Sequence, residues 1–341
     1  MKETGLAEAA KTVAQYICNV RQGEDVLLYA DVGADRDIVD AIANACREAG
    51  GETCVLCFGR RPVPDLEPPA PLAAAMKSTD VLIELADMYL IHTETLLQAQ
   101  LSGARFACLT MMTRGIMERC IGPIEWYAKV VELGECVTSL LEAASSMHIT
   151  TPAGTDLVCN IEGRTIDHAS RPISGPGEQT YPAGQVSWYP HAESIQGIMV
   201  FDGTIWPPEG IGLLETPIVM TVRDGRVTGI DGGREAGKVA EWFEAFENPH
   251  AYDLAHISYG VNPGATLCGN ILEDERILGG IEVGIGAQPP QLGIFQVDPE
   301  EATRSHTDAV MLCPTVGIDG QVIERDGEFV HPDLVSVLES F

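Results

Sequence analysis

Four side chains between Asp253 and Asp308 have types and spacing that make a specific chemical demand: His256, Glu282, His306 and Asp308. His306 and Asp308 stand two residues apart in SHTDAVMLC, so in a strand both project from one face toward one point. The apolar run AVMLC directly after them favours a strand. His256 lies in a second short run, LAHISYG, able to lie beside the first. Two neutral imidazoles and one carboxylate are the set that holds iron(II) on one triangular face, leaving three positions for dioxygen and a bidentate substrate. Spacing alone leaves a second reading open, in which the histidines are hydrogen-bonded structural groups and His-x-Asp arises by chance in an acidic chain.

The elements that must position these residues divide into two textures. The first 147 residues alternate helical and strand patterns. An amphipathic helix carries Leu6, Ala10, Val13 and Ile17 at helical spacing; strands follow in DVLLYAD, TCVLCF, VLIELA and FACLT, with a helix IVDAIANACREAG ending on Gly50 and Gly51. Alternation at this interval predicts a parallel sheet with helices on its faces. A long helical pattern from about Pro123 to Ser146 closes this half. From residue 148 to 341, β-branched runs and Asp-Gly turns at Asp202-Gly203, Asp224-Gly225, Asp319-Gly320 and Asp326-Gly327 predict antiparallel hairpins, with one helix in GKVAEWFEAFE. The expected fold is therefore α/β: a parallel α/β domain over residues 1–147, then a mainly antiparallel α+β metal-binding domain over 148–341.

Composition excludes several classes of function. With 341 residues and 45% apolar content, the chain can fill two ordinary cores. Fifty acidic against twenty-one basic residues give a net charge of −29, which repels nucleic acid in the absence of a Lys/Arg cluster. No run approaches the length of a membrane span, and the amino terminus lacks the basic-then-apolar order of a signal peptide, so a cytoplasmic protein without membrane contact is expected. The ten cysteines form no secreted-protein framework, and Cys54-x-x-Cys57 lies alone inside a strand-like run. The first strand-to-helix turn, DVGAD, lacks the three glycines that let backbone amides approach a pyrophosphate. The Pro-rich stretch Arg60–Pro71 reads as a surface loop, and Glu273-Asp274-Glu275 as a solvated charged turn. Glu282 alternates with Ile281, Val283 and Ile285, so it points away from them, to solvent or into a site.

From about Gly184 to Gly327 the chain resembles the metal-dependent aminopeptidases of the thermophilic type, and more closely their relatives, the 2,5-dihydroxypyridine dioxygenases. The peptidases carry a run like E-x-G-x-G-x-N, then D-E-K-x-x-G-T-x-H-x-A-x-G, then H-x-D before a strand. This chain has HISYGVN at 256–262, DERILGGIEVGIG at 274–286 and HTD at 306–308. It departs where the chemistry is decided. His256 stands where the peptidases place a metal-binding Glu, Glu282 where they place a metal-binding His, and Gly184 and Gln185 replace two upstream glutamates. A pair of metal ions needs bridging carboxylates, so these changes point to one metal.

The resemblance implies an iron(II) enzyme of the extradiol type, with His256, His306 and Asp308 as ligands. Its substrates would be a small aromatic N-heterocycle and dioxygen. The resemblance to the dioxygenases implies cleavage of 2,5-dihydroxypyridine to N-formylmaleamate in nicotinate breakdown, by a homo-oligomer. It also implies an inner- or outer-sphere place for Glu282. His92, after the strand DVLIELADMYL, and His191, in a loop that borders the metal in the family, become candidates for proton handling or ring orientation. Trp188, Tyr189 and Glu193 beside His191 would suit a flat polar ring. The alternative is a metal-dependent aminopeptidase.

Overall fold

A computed structural model describes residues 5–287 and 303–341. The chain divides into two compact units, Met1–Val131 with Ala169–Ala183, and Glu132–His168 with Gly184–Phe341.

In the first unit, a five-stranded parallel sheet runs in the order Glu52–Phe58, Asp25–Asp31, Val81–Glu84, Arg105–Cys108, Gln179–Thr180. Its interior strands are short continuous apolar runs such as Val26–Ala30 and Val81–Ile83, buried as both faces of a parallel sheet require. The Glu52–Phe58 strand lies at the edge, and Cys54 and Cys57 are both exposed. Three apart on a strand, they point to opposite faces and cannot share a ligand. The helix Arg36–Glu48 is capped by Asp35, whose carboxylate accepts from the Asp37 amide at 2.9 Å, while Asp31 accepts from the Gly33 amide at 2.8 Å. The DVGAD turn thus satisfies amides that a phosphate would need. The Pro-rich loop is held by two of its own acids: Asp65 accepts from the His92 amide and Glu67 from the Glu94 amide and the Thr95 hydroxyl.

The division differs in two places from a single crossing at residue 147. The helix Ile124–Glu142 contains the boundary at Val131, and residues 169–183 return to the first unit, where Gln179–Thr180 adds the fifth strand. Two residues carry too little periodicity to register as a strand from pattern alone.

The second unit contains, among the described residues, an eight-stranded and a seven-stranded sheet. The hairpin turns at Asp224-Gly225, Asp319-Gly320 and Asp326-Gly327 all have positive φ at both residues, as the Asp-Gly signal requires. Asp202-Gly203 has neither and is no hairpin. It carries the chain from Gln196–Phe201 of the larger sheet to Thr204–Trp206 of the smaller, with the Asp202 carboxylate accepting from the Leu312 amide at 2.9 Å. Among the described residues, no helix is long and apolar enough to cross a membrane.

Candidate metal centre

Three neighbouring strands of the seven-stranded sheet build the site: Leu254–Gly260, Ile281–Gly286 and His306–Met311, with Ile281–Gly286 in the middle. Alternation sorts the middle strand cleanly. Ile281, Val283 and Ile285 face the core; Glu282, Gly284 and Gly286 face the other way. On that second face, Ser258 pairs with Glu282, Gly284 lies between His256 and Asp308, and His306 stands opposite Gly286. A bulge between Leu254 and His256 leaves Leu254 opposite Ile285 on the core side and His256 opposite Gly284 on the site side.

These registers bring His256, His306 and Asp308 together, with one donor atom of each within 4.8 Å of the others. His306 Nε2 lies 3.0 Å and His256 Nε2 3.7 Å from Asp308 Oδ1, and the two rings stack at 5.3 Å. His306 Nδ1–H donates to the Ala287 carbonyl at 2.7 Å. That makes Nδ1 a donor and turns Nε2 toward the carboxylate oxygen, where it can carry a proton or, once deprotonated, offer a lone pair to a cation. Glu282, fully buried, places Oε2 3.0 Å from His256 Nε2, while its Oε1 has no hydrogen-bond partner among the described residues. Gln185 Nε2 is 3.5 Å from the same Glu282 oxygen, and Ser187 and Ser258 share a hydroxyl hydrogen bond of 2.8 Å behind it. The donor set of two imidazoles and one carboxylate fits a divalent cation with open positions, and Glu282 beside His256 fits a fourth donor or a proton carrier.

The electrostatics agree with that fit. Burial pushes the His256 pKa down to about 4, which keeps a neutral, ligating imidazole. Burial also disfavours charge on His306, but Asp308 beside it and the Ala287 carbonyl outweigh this and push its pKa up to about 9. Asp308, despite burial, is held below its ordinary value by His306 and His256. Burial, with Asp308 adding to it, raises Glu282 well above the carboxylate range. In the metal-free protein the cationic place is thus filled by a proton on His306. A divalent ion must displace that proton, so apparent affinity is expected to rise about tenfold per pH unit up to about pH 9. Cobalt(II) titrations at pH 6, 7 and 8 check this, and a flat profile would contradict it.

The acidic triplet corrects the sequence reading. Glu273 and Asp274 are fully buried rather than solvated. Glu273 accepts from the amide and hydroxyl of Thr266, and Asp274 from the amides of Cys268 and Gly269, so the two acids fold the 266–269 loop onto the short helix Ile271–Asp274. Glu275 pairs with Arg276 and forms a second donor group with Glu282 and Asp308; burial pushes its pKa up to about 7. The one local signal was Arg276, a cation next to three acids.

The remaining candidates are held by contacts of their own. His191 Nε2–H donates to the Glu162 carbonyl at 3.0 Å, and its ring fastens the loop before the turn Ala192–Ser194. Trp188 is no ring platform. It pairs with Ile257 in register, on the core side, and its ring lies 5.8 Å from Tyr259. Tyr189 is buried and Glu193 exposed. His92 belongs to the first unit, where Nδ1 lies 2.9 Å from Asp65 Oδ2.

A parallel α/β unit followed by antiparallel sheets makes this an α/β protein, and solved structures share its fold. Wild-type AmpT from Thermus thermophilus shares the fold with a TM-score of 0.67 at 16% identity, over 96% of this chain and 99% of that one. The structure of 2,5-dihydroxypyridine dioxygenase from Pseudomonas putida KT2440 matches with a TM-score of 0.79 at 19% identity, over 96% and 98%. In sequence, the 2,5-dihydroxypyridine 5,6-dioxygenase of Pseudomonas putida is 27% identical over 193 residues, 56% of this chain and 53% of that protein, so the match spans about half of that relative's length. The model of the NicX family, 2,5-dihydroxypyridine 5,6-dioxygenase, matches residues 7–331. The chain belongs to that family.

Proposed function

We propose that the protein is an iron(II)-dependent, ring-cleaving dioxygenase that opens 2,5-dihydroxypyridine, or a closely related hydroxylated N-heterocycle, in nicotinate breakdown. The observation that carries this reading is the convergence of His256, His306 and Asp308 on one sheet face, in a chain of the dioxygenase family. Iron(II) held by those three residues would supply adjacent open positions at which dioxygen and the ring heteroatoms meet. The product, N-formylmaleamate, retains both oxygen atoms of dioxygen while one ring carbon–carbon bond breaks, so no external reductant enters.

The chain's own groups do the rest. Burial keeps the His256 imidazole neutral, and Ala287 orients His306 through Nδ1. Glu282, held protonated by burial, is placed to give a proton at Oε1 to an oxygen of the ring or the product. His191 and His92 are proposed as further acid–base groups, since an imidazole can both give and take a proton. A metal-dependent aminopeptidase is the rival reading, and the group Glu275, Glu282 and Asp308 is what favours it. Against it, Glu275 is already paired with Arg276, Glu282 is held neutral, and the residue at 185 is an amide rather than a carboxylate. The test is to load the anaerobic protein with iron(II), add 2,5-dihydroxypyridine, and follow oxygen uptake with loss of the ring's ultraviolet band. Stoichiometric uptake with one iron per chain supports the dioxygenase. Two metals per chain with release of an amino-terminal residue from a peptide would replace it with the peptidase.

A further inference from the structure

The middle strand of the site carries Gly284 at the one position that separates a ligand on the left-hand neighbour, His256, from a ligand on the right-hand neighbour, Asp308. Strands lie about 4.8 Å apart, so the backbones of His256 and Asp308 are two spacings, roughly 10 Å, from one another. Yet His256 Nε2 comes within 3.7 Å of Asp308 Oδ1. The imidazole covers that distance by lying across the middle strand, over the place where residue 284 would otherwise have a side chain. A methyl group built on Gly284 would stand 2.3 Å from His256 Cε1, 2.4 Å from Nδ1 and 2.9 Å from Nε2. These are atoms of a rigid ring rooted in a buried strand, not the far end of a flexible chain.

Backbone conformation gives no other reason for a glycine here. Gly286, two residues on, has φ +115°, and a methyl there would meet the Ser305 carbonyl oxygen at 2.2 Å; its backbone alone demands glycine. Gly284 has no such φ. In a strand interior glycine is unfavourable, because it loses backbone freedom and packs nothing. Its presence is accounted for by the space it leaves.

We infer that Gly284 is a positioning residue of the metal centre: the empty side-chain place at 284 is the seat of the His256 imidazole and sets the reach of that ligand toward His306 and Asp308. This rests on the metal reading above. Any side chain at 284 lifts the ring off the strand, separating its Nε2 from Asp308 and from Glu282, without removing a donor.

The test is a four-way comparison of the wild type, Gly284→Ala, His256→Ala and the double variant, with Gly229→Ala as control. Gly229 is also a strand glycine, but a methyl there meets nothing closer than 3.8 Å. Two quantities are read on the full chain: cobalt(II) affinity from the visible spectrum of the metal-free protein titrated with cobalt(II), and the thermal midpoint without metal. Gly284→Ala is expected to weaken cobalt(II) binding at least 100-fold and to lower the midpoint by several degrees. In the His256→Ala background the same change is expected to leave the midpoint unchanged or raise it, since the ring it would strike is gone. Gly229→Ala is expected to bind cobalt(II) as the wild type does. Cobalt(II) affinity of Gly284→Ala within threefold of the wild type overturns the inference. So does an equal thermal loss with and without the His256 ring. Where Gly284→Ala proves insoluble, a soluble double variant supports the inference and an insoluble one overturns it. A wild type that takes up no cobalt(II) defeats the metal reading instead, and the thermal cycle alone then decides whether Gly284 seats the ring.

Discussion

Alanine at His306 is expected to reduce metal affinity by at least about 10³-fold, roughly 4 kcal/mol, and to bring oxygen uptake below detection. His306 offers the donor 3.0 Å from Asp308 and is itself locked by the Ala287 carbonyl, so its truncation removes one of the two imidazoles of the group. The variant also removes a cation. In the metal-free wild type His306 has its pKa raised to about 9 from an ordinary value of 6.5, so its pairing with Asp308 stabilises the fold fully below pH 6.5 and is lost as the pH rises through 9. The stability difference between His306→Ala and the wild type, both without metal, should therefore be larger at pH 6 than at pH 9.5. His148→Ala serves as the comparison, because the side chain of that exposed histidine bonds Asp156 on a different sheet from His306. Retained iron and uptake in His306→Ala would remove the residue from the ligand set.

The second large effect falls on stability rather than chemistry. Asp274 is fully buried and accepts from the amides of Cys268 and Gly269 at 2.7 and 2.9 Å. Truncation to alanine leaves both amides unsatisfied, at about 1–3 kcal/mol each, so a loss on the order of 3 kcal/mol is expected. The thermal midpoint should fall by about 5 °C or more, given roughly 2 °C per kcal/mol for a chain larger than 250 residues. Metal affinity should fall with it, since Glu275, the next residue, reaches toward Glu282 and Asp308. Asp274→Asn, which keeps one acceptor, should lie between. Calorimetry decides the point, and a midpoint within 1 °C of the wild type would return the triplet to the surface.

The parts of this molecule legible in the sequence are those determined by short-range pattern. HTD before AVMLC announces a strand with two donors on one face, and the period of two in IEVGIG places Glu282 opposite its apolar neighbours; both follow from alternation alone. Three Asp-Gly hairpins were readable because positive φ is a local demand, whereas Asp202-Gly203 has the same letters and bridges two sheets. What failed depends on partners outside the strand or turn in which a residue stands. Beyond Arg276, nothing in the pattern around Glu273 and Asp274 announces that amides five to seven residues upstream turn inward to meet them. Trp188 sits next to polar residues, yet its face is decided by pairing with Ile257, seventy residues on. The joining of His256 to Asp308 across Gly284 is likewise a matter of register, which single-strand patterns do not contain.

The bulge at Ala255 separates what a donor is from where it is aimed. Ala255 is the surplus residue, for Leu254 already stands opposite Ile285 and His256 opposite Gly284. Deleting it would leave every donor atom in the chain and each flanking residue on its present face. Only the local twist with which His256 leaves its strand would change. The aim of His256 toward His306 and Asp308 is therefore open to adjustment by chain length at one point, a variable that substitution of the donors themselves cannot reach.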